Sequence, residues 1–159
     1  MRSMLSLVAV LAALSFGAPL VAQDAQARLW DAAIAGDTLV IRSAIDDSAR
    51  IDSLDTRRNP NGRFALNWAA WHDQVAAIEL LIALGAPLEA ENRTGFSALH
   101  HAAESGSIAS ARVLLAAGAD PTHANKAGRL PAETAREQDH PEIAALLEAA
   151  VSERKEPER

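Results

Sequence analysis

The chain repeats itself with a period of 33 residues. Gly62, Gly95 and Gly128 are spaced by this interval, and the residues around the first two glycines also correspond. The ten residues that begin at Asn61, NGRFALNWAA, return from Thr94 as TGFSALHHAA. A fixed period in this range is typical of a stacked array, in which each unit buries one face against its neighbours. The period therefore predicts a repeat protein that leaves one long surface open to a partner.

Each unit is predicted to contain a turn, a short helix, a second helix and a loop. In the third unit Gly95 supplies the turn, because glycine adopts positive φ at little cost, and Ser97 can cap the first helix. Gly106 ends that helix, and Gly118 ends the second with the left-handed residue that helix ends favour. Alanine and leucine supply most of the apolar bulk, and the chain has only three Phe, three Trp and no Tyr. This composition suits thin, closely packed helices better than a β-sandwich.

These motifs resemble the ankyrin repeat. The pattern of that family is a glycine turn, Thr-Pro-Leu-His, an alanine pair, a glycine, a leucine pair and Gly-Ala-Asp. The segments SALH at 97–100 and GAD at 118–120 match it closely, while FALN at 64–67 and LPAE at 130–133 are degenerate copies. The resemblance implies an all-α, ankyrin-type solenoid of about four helix-turn-helix repeats with short β-turn fingers. The implied domain covers residues 27–151, with units at about 27–58, 59–91, 92–124 and 125–151.

The first and last units depart from the pattern. Leu29 and Leu66 are 37 residues apart instead of 33, and the extra residues fall in Asp55–Arg58. We interpret this insertion as a surface turn, where added length costs little. The expected Gly-Ala pair of the first unit is replaced by Ser48 and Ala49. Both end units are predicted to act as polar caps, followed by a solvated tail over residues 152–159.

The N-terminus has the order of a secretory signal. Arg2 is the only charged residue among the first 22, an apolar stretch covers Met4–Phe16, and a small residue precedes the predicted cleavage point. This order predicts a signal peptide over residues 1–22. The alternative is an uncleaved anchor, because Ser3–Gln23 carries no charge and is just long enough to span a bilayer. The alanine- and arginine-rich style favours a bacterial protein, which would place the processed chain in the periplasm.

Composition and charge exclude several classes of function. The chain has no cysteine, so it forms no disulfide and offers no thiolate ligand or cysteine nucleophile. Removing residues 1–22 would take away one positive charge and change the formal net charge from −6 to −7. An acidic processed chain argues against nucleic acid or an anionic membrane as the partner.

No catalytic or metal-binding constellation stands out in the sequence. His100 and His101 are adjacent, so on a helix they point about 100° apart and cannot share a metal as residues one turn apart do. The chain has neither a nucleophile elbow nor a glycine-rich phosphate loop. We expect no enzyme, no cofactor and no metal; a histidine-based enzyme or metal binder is the least favoured alternative. The resemblance implies instead that His100 holds its turn through hydrogen bonds to the backbone.

The resemblance further implies that a partner binds the concave face, which turn tips and first helices would form. Trp71 is the most informative position, because the packing of its own unit requires nothing large there. With Phe96 on the next turn it would provide an aromatic anchor, a residue type that interfaces favour. The alternative is that Trp71 packs over the insertion. The positions on this face that we assign to partner binding are Arg63, Trp71, His72, Arg93, Phe96, Glu104, Ser105, Lys126 and Arg129.

Basic residues lie on or near the predicted turns of an acidic chain. We expect this rim to steer an acidic partner onto the turn tips; ordinary turn composition is the alternative explanation. The sequence therefore predicts a monomeric, non-catalytic protein–protein interaction module of the cell envelope. The second hypothesis is a dedicated regulator, inhibitor or stabiliser of one exported enzyme.

Overall fold

The computed structural model describes residues 24–155, which form four stacked helix pairs. First helices of successive pairs pack on one another in one layer, and second helices form a second layer behind them. Within residues 24–155 the one β contact is an isolated antiparallel bridge between Asp55 and Arg63. The helices are α1 (residues 24–35), α2 (Thr38–Asp46), α3 (Ala65–Trp71), α4 (Val75–Ala83), α5 (Ala98–Ser105), α6 (Ile108–Ala116), α7 (Pro131–Glu137) and α8 (Pro141–Lys155).

Alanine pairs allow the first helices to approach closely. Ala69, Ala70, Ala102 and Ala103 are completely buried in α3 and α5. Both helices are buried on nearly all sides because a neighbour lies before and after each of them. The prediction of an all-α solenoid of about four helix-turn-helix units is confirmed by this arrangement. No helix between residues 24 and 155 is long and apolar enough to cross a membrane.

The first unit replaces a glycine with a strained serine. Its helix α2 begins at Thr38 after the N-cap Asp37, whose carboxylate accepts hydrogen bonds from two backbone amides. After α2, Ser48 has φ of +73°, whereas Gly85 and Gly118 occupy the corresponding places after α4 and α6. A residue with a Cβ pays a conformational cost in this left-handed region, and glycine does not.

The C-terminal helix is longer than the sequence predicted. Residues 152–155 continue α8, and residues 152–154 are exposed. Arg154 donates hydrogen bonds to the carbonyl oxygens of Gly118 and Ala119 and pairs with Asp120 at 3.2 Å. These contacts hold the last turn of α8 against the end of α6. Residues 156–159 and the predicted signal peptide lie outside the described residues.

The insertion at Asp55–Arg58 contains an ionic clasp around the buried Asp55, while its other three residues are exposed, as in the predicted surface turn. The Asp55 carboxylate is completely buried and accepts hydrogen bonds from Arg57 Nε at 2.8 Å and Trp68 Nε1 at 3.2 Å. Arg57 also donates to Asp31 of α1 at 2.9 Å. Burial by itself would raise the pKa of Asp55, but the hydrogen bonds from Arg57 and Trp68 outweigh it and hold the pKa below its usual value. The clasp therefore ties α1 to α3.

Candidate protein-binding groove

Three asparagines shape the fingers, which are the turns at residues 59–63, 92–96 and 125–129. Asn59, Asn92 and Asn125 recur with the 33-residue period. Each side-chain oxygen accepts a hydrogen bond from a backbone amide two residues later, at 2.8 to 2.9 Å. Asparagine favours turns for this reason. These residues were not among the predicted binding positions, although the period itself marks them.

Backbone hydrogen bonds stack the fingers on one another. The amide of Arg93 donates to Asn61 O at 3.0 Å, and the amide of Lys126 donates to Thr94 O at 3.2 Å. At Gly95 a Cβ atom would lie 2.5 Å from the backbone nitrogen of Lys126. Glycine is therefore required at this position both by its φ of +82° and by the close approach of the next finger.

The basic residues at the finger tips reach back by one unit. The Arg93 guanidinium donates to the carbonyl oxygen of Pro60, and Lys126 Nζ donates to the carbonyl oxygen of Arg93 at 3.0 Å. Both acceptors are neutral, so these bonds position the two side chains without cancelling their charge. Among residues 24–155, no carboxylate forms an ion pair with Arg93 or Lys126.

The fingers and the adjoining helix α5 enclose a groove of about 540 Å³, which we call the finger groove. Its walls contain polar, cationic and aromatic groups from three successive units. The residues that line it are Asn59, Asn61, Arg63, Asn92, Arg93, Thr94, Phe96, His101, Glu104, Asn125, Lys126, Ala127 and Arg129.

The finger groove brings together most of the residues that the sequence assigned to partner binding. Trp71, His72 and Ser105 are not among its lining residues. The predicted residues that line it are Arg63, Arg93, Phe96, Glu104, Lys126 and Arg129.

Trp71 lies behind the groove rather than on its rim. It is half-buried, with its ring 4.1 Å from the guanidinium carbon of Arg63 and edge-on to His101. The anchor role of Trp71 stays a prediction; its ring and that of Phe96 both contact His101. Trp68, which is buried as predicted, and Trp30 both contact the insertion.

His72 and Ser105 have local contacts of their own. His72 is exposed and stacks on Trp68, with ring centroids 6.1 Å apart. Partial desolvation, and then the charges of Arg63 and Arg58, lower the pKa of His72. The Ser105 hydroxyl donates to the carbonyl oxygen of His101 at 2.9 Å, which occupies it at the end of α5.

His100 joins its own helix to the next finger, which is the role that the resemblance implied. Its Nε2 lies 3.1 Å from the carbonyl oxygen of Arg129, and its Nδ1 lies 3.1 Å from Ser97 Oγ. Because a carbonyl oxygen can only accept, we assign the proton to Nε2, which leaves Nδ1 to accept from the serine hydroxyl. Burial lowers the pKa of His100 to about 4. The imidazole is therefore neutral at pH 7 and serves as a structural bridge.

Arg63 is the most unusual residue of the groove. It is only 8% exposed, and its guanidinium carbon lies 4.6 Å and 4.1 Å from the ring centroids of Trp68 and Trp71. Its Nη2 is 3.7 Å from Glu104, which is too long for a hydrogen bond. Within residues 24–155 its side chain makes no hydrogen bond, and its buried Nε has no partner. Burial lowers the pKa of Arg63, yet a guanidinium remains charged in proteins.

His101 competes for the same carboxylate. It is 2% exposed, and its Nδ1 lies 3.2 Å from the Glu104 oxygen that also faces Arg63. Burial lowers the pKa of His101, so its neutral form is favoured. Glu104 is thus shared, while Arg129 is paired separately with Glu137. The resulting charge in the groove is positive, although the whole chain has a formal net charge of −6.

These features define a class of protein: a helical repeat solenoid with stacked turn fingers and a groove beside them. The family model described as "Ankyrin repeats (3 copies)" matches residues 29–125, and the chain belongs to the ankyrin repeat family. A comparison with curated proteins finds no match. Ankyrin repeats are in general protein–protein interaction modules and are typically not catalytic. Within residues 24–155 no group of three or more His, Cys, Asp or Glu side chains could hold a metal ion.

Proposed function

We propose that this chain is a non-catalytic protein-binding module of the cell envelope and that its partner docks in the finger groove. The observation that carries the proposal is the groove itself, about 540 Å³ and lined by three units. It presents two cations without a carboxylate partner, Arg93 and Lys126, beside the half-buried ring of Phe96. Interfaces commonly combine an aromatic residue with arginine in this way.

The rigidity of the groove supports the same proposal. Finger-to-finger backbone bonds and the His100 bridge hold its walls before any partner arrives. A preformed surface loses little conformational entropy when it binds, so more of the contact energy remains as affinity. We infer a scaffold that presents a fixed surface rather than one that folds around its partner.

The envelope location rests on the sequence of the N-terminus. Residues 1–22 contain a charged residue, then an apolar stretch, then a small residue before the predicted cleavage point. This order supports export, with the bacterial periplasm as the proposed compartment. An uncleaved anchor remains the alternative form. Mass measurement of the protein recovered from envelope fractions separates the two, because only cleavage removes the first 22 residues.

Charge reversal in the groove tests its role in binding. We would immobilise the protein and capture partners from an envelope extract with wild type, with Arg93→Glu/Lys126→Glu and with Arg112→Glu. Arg112 is exposed on α6, outside the groove, and provides the matched control. The groove variant should lose the partner that wild type and Arg112→Glu both retain. Retention of that partner by the groove variant would contradict the proposed surface.

A further inference from the structure

We propose that the Arg63 guanidinium binds a side-chain carboxylate of the partner and that the finger groove accepts an acidic peptide segment. This inference rests on the proposed function of the groove and adds the chemistry of its partner. It is carried by the state of Arg63, by its aromatic surroundings and by the charges along the fingers.

The first support is the unsatisfied state of the Arg63 guanidinium. It is 8% exposed and lines the groove, yet its side chain makes no hydrogen bond within residues 24–155. Its nearest acid is Glu104 at 3.7 Å, which also faces His101 at 3.2 Å. A buried charge is costly unless it is closely paired and hydrogen-bonded. A carboxylate entering the groove would supply the missing acceptor.

The second support is the way in which the indoles hold this guanidinium. Trp68 and Trp71 both lie within cation–π distance of it, at 4.6 Å and 4.1 Å. Their rings attract the cation but do not accept its N–H donors as an oxygen would. The contacts therefore fix the group in place without satisfying its N–H donors. A planar guanidinium matches the two oxygens of a carboxylate, which it can bind through two parallel hydrogen bonds.

The third support indicates a segment with several acids rather than a single carboxylate. Arg93 and Lys126 stand 33 residues apart on successive fingers, and each donates only to a neutral backbone carbonyl. Arg129, by contrast, is neutralised by Glu137. Arg93 and Lys126, which form no ion pair within residues 24–155, thus extend the positive charge of the groove beyond Arg63. An acidic stretch would place one carboxylate on Arg63 and others near the finger tips.

An oligoglutamate peptide, acetylated and amidated at its ends, tests the inference by calorimetric titration at low ionic strength. Wild type should bind it and should not bind the matched oligoglutamine peptide, although the chain as a whole is acidic and repels anions. Arg63→Gln should weaken binding by about tenfold or more, because the carboxylate loses both hydrogen bonds and charge. Arg63→Lys should weaken it by roughly threefold to tenfold, since the charge stays but the paired donors are lost. Arg112→Gln, outside the groove, should bind like wild type.

Lys126→Gln keeps the test informative if Arg63 variants do not fold. Lys126 is exposed, and its loss should weaken oligoglutamate binding by roughly twofold to fivefold. Equal binding of oligoglutamate and oligoglutamine, or unchanged affinity in folded Arg63→Gln, would overturn the inference. Displacement of the peptide by an equimolar amount of inorganic phosphate would also overturn it. Failure of these titrations while Arg93→Glu/Lys126→Glu still loses the captured partner would refute the carboxylate site but not the proposed function.

Discussion

The substitution Asp55→Asn measures what the buried clasp contributes to stability. The Asp55 carboxylate accepts two hydrogen bonds at each oxygen: Arg57 Nε and the Arg57 amide at Oδ1, and Arg57 Nη2 and Trp68 Nε1 at Oδ2. Asparagine has the same shape but replaces one oxygen with an NH₂ group. If its oxygen takes the Oδ1 position, the NH₂ group faces two donors at the other.

The expected cost follows from those lost contacts. Trp68 Nε1 would be left buried without an acceptor, at about 1–3 kcal/mol. The lost Arg57 bond would cost about 1 kcal/mol, since the Arg57 side chain is 38% exposed and can recover water. The free energy of unfolding should therefore fall by about 2–4 kcal/mol, which corresponds to a decrease in Tm of roughly 6–12 °C for a chain of this size.

Urea unfolding followed by circular dichroism at 222 nm is the assay, because it does not depend on the altered surroundings of Trp68. Asp52→Asn is the matched control: its ion pair with Arg50 joins side chains that are 52% and 75% exposed, so the change should stay below about 0.5 kcal/mol. Equal, small effects of the two substitutions would refute the clasp. Folding lowers the pKa of Asp55. The stability that its carboxylate provides is therefore fully present above the unfolded pKa and is lost as the pH falls through the folded pKa. Asp55→Asn should lack that acid-dependent loss.

Three further predictions test individual positions. Ser48→Gly should raise the free energy of unfolding by about 0.5–1 kcal/mol, because relief of left-handed strain outweighs the entropy that glycine adds to the unfolded chain. The control Ser43→Gly, within α2, should lower the free energy of unfolding by about 1 kcal/mol. Destabilisation by both substitutions would contradict the strain at position 48. Gly95→Ala should lower the free energy of unfolding by about 2–4 kcal/mol, because of its positive φ and the clash with the next finger. Gly128→Ala, with no atom within 4 Å of the added Cβ, should lower it by only about 1–2 kcal/mol, for its φ of +79°. Equal decreases in Tm for the two variants would contradict the clash at Gly95. His100 has a folded pKa of about 4, below its unfolded value, so its titration should lower the free energy of unfolding by about 2 kcal/mol between pH 7 and pH 5. Urea titrations at both pH values should show a smaller pH dependence for His100→Gln. An unchanged pH dependence would contradict the assignment of a neutral, buried His100.

The sequence predicted the parts of the fold that local rules determine. Gly118 follows α6 with positive φ as expected, since the ending of a helix depends on a few neighbouring residues. The burial of Asp55 was missed because it depends on Trp68, which lies 13 residues further along the chain and meets the carboxylate only in the folded structure. Spacing alone does not distinguish a solvated turn from a buried ion pair.

The groove was predicted in outline but not in depth. The resemblance assigned Arg63 and Phe96 to one surface, and both line the finger groove. The sequence did not indicate that Trp71 would pack against Arg63. That packing depends on Trp71, Arg63 and His101, which come from two successive units and meet only in the folded structure. The unsatisfied donors of Arg63 are likewise visible only once its neighbours are known.

Site-specific photocross-linking in intact cells tests the central claim most directly. A benzophenone amino acid would replace Ala127, an exposed residue that lines the finger groove, or Ala76, an exposed residue on α4. Both positions carry the same small side chain, so the two variants differ mainly in the surface they report. Binding in the groove predicts a discrete cross-linked protein from position 127 and none from position 76. The same adduct from position 76 alone would place the partner on the other layer and contradict the account.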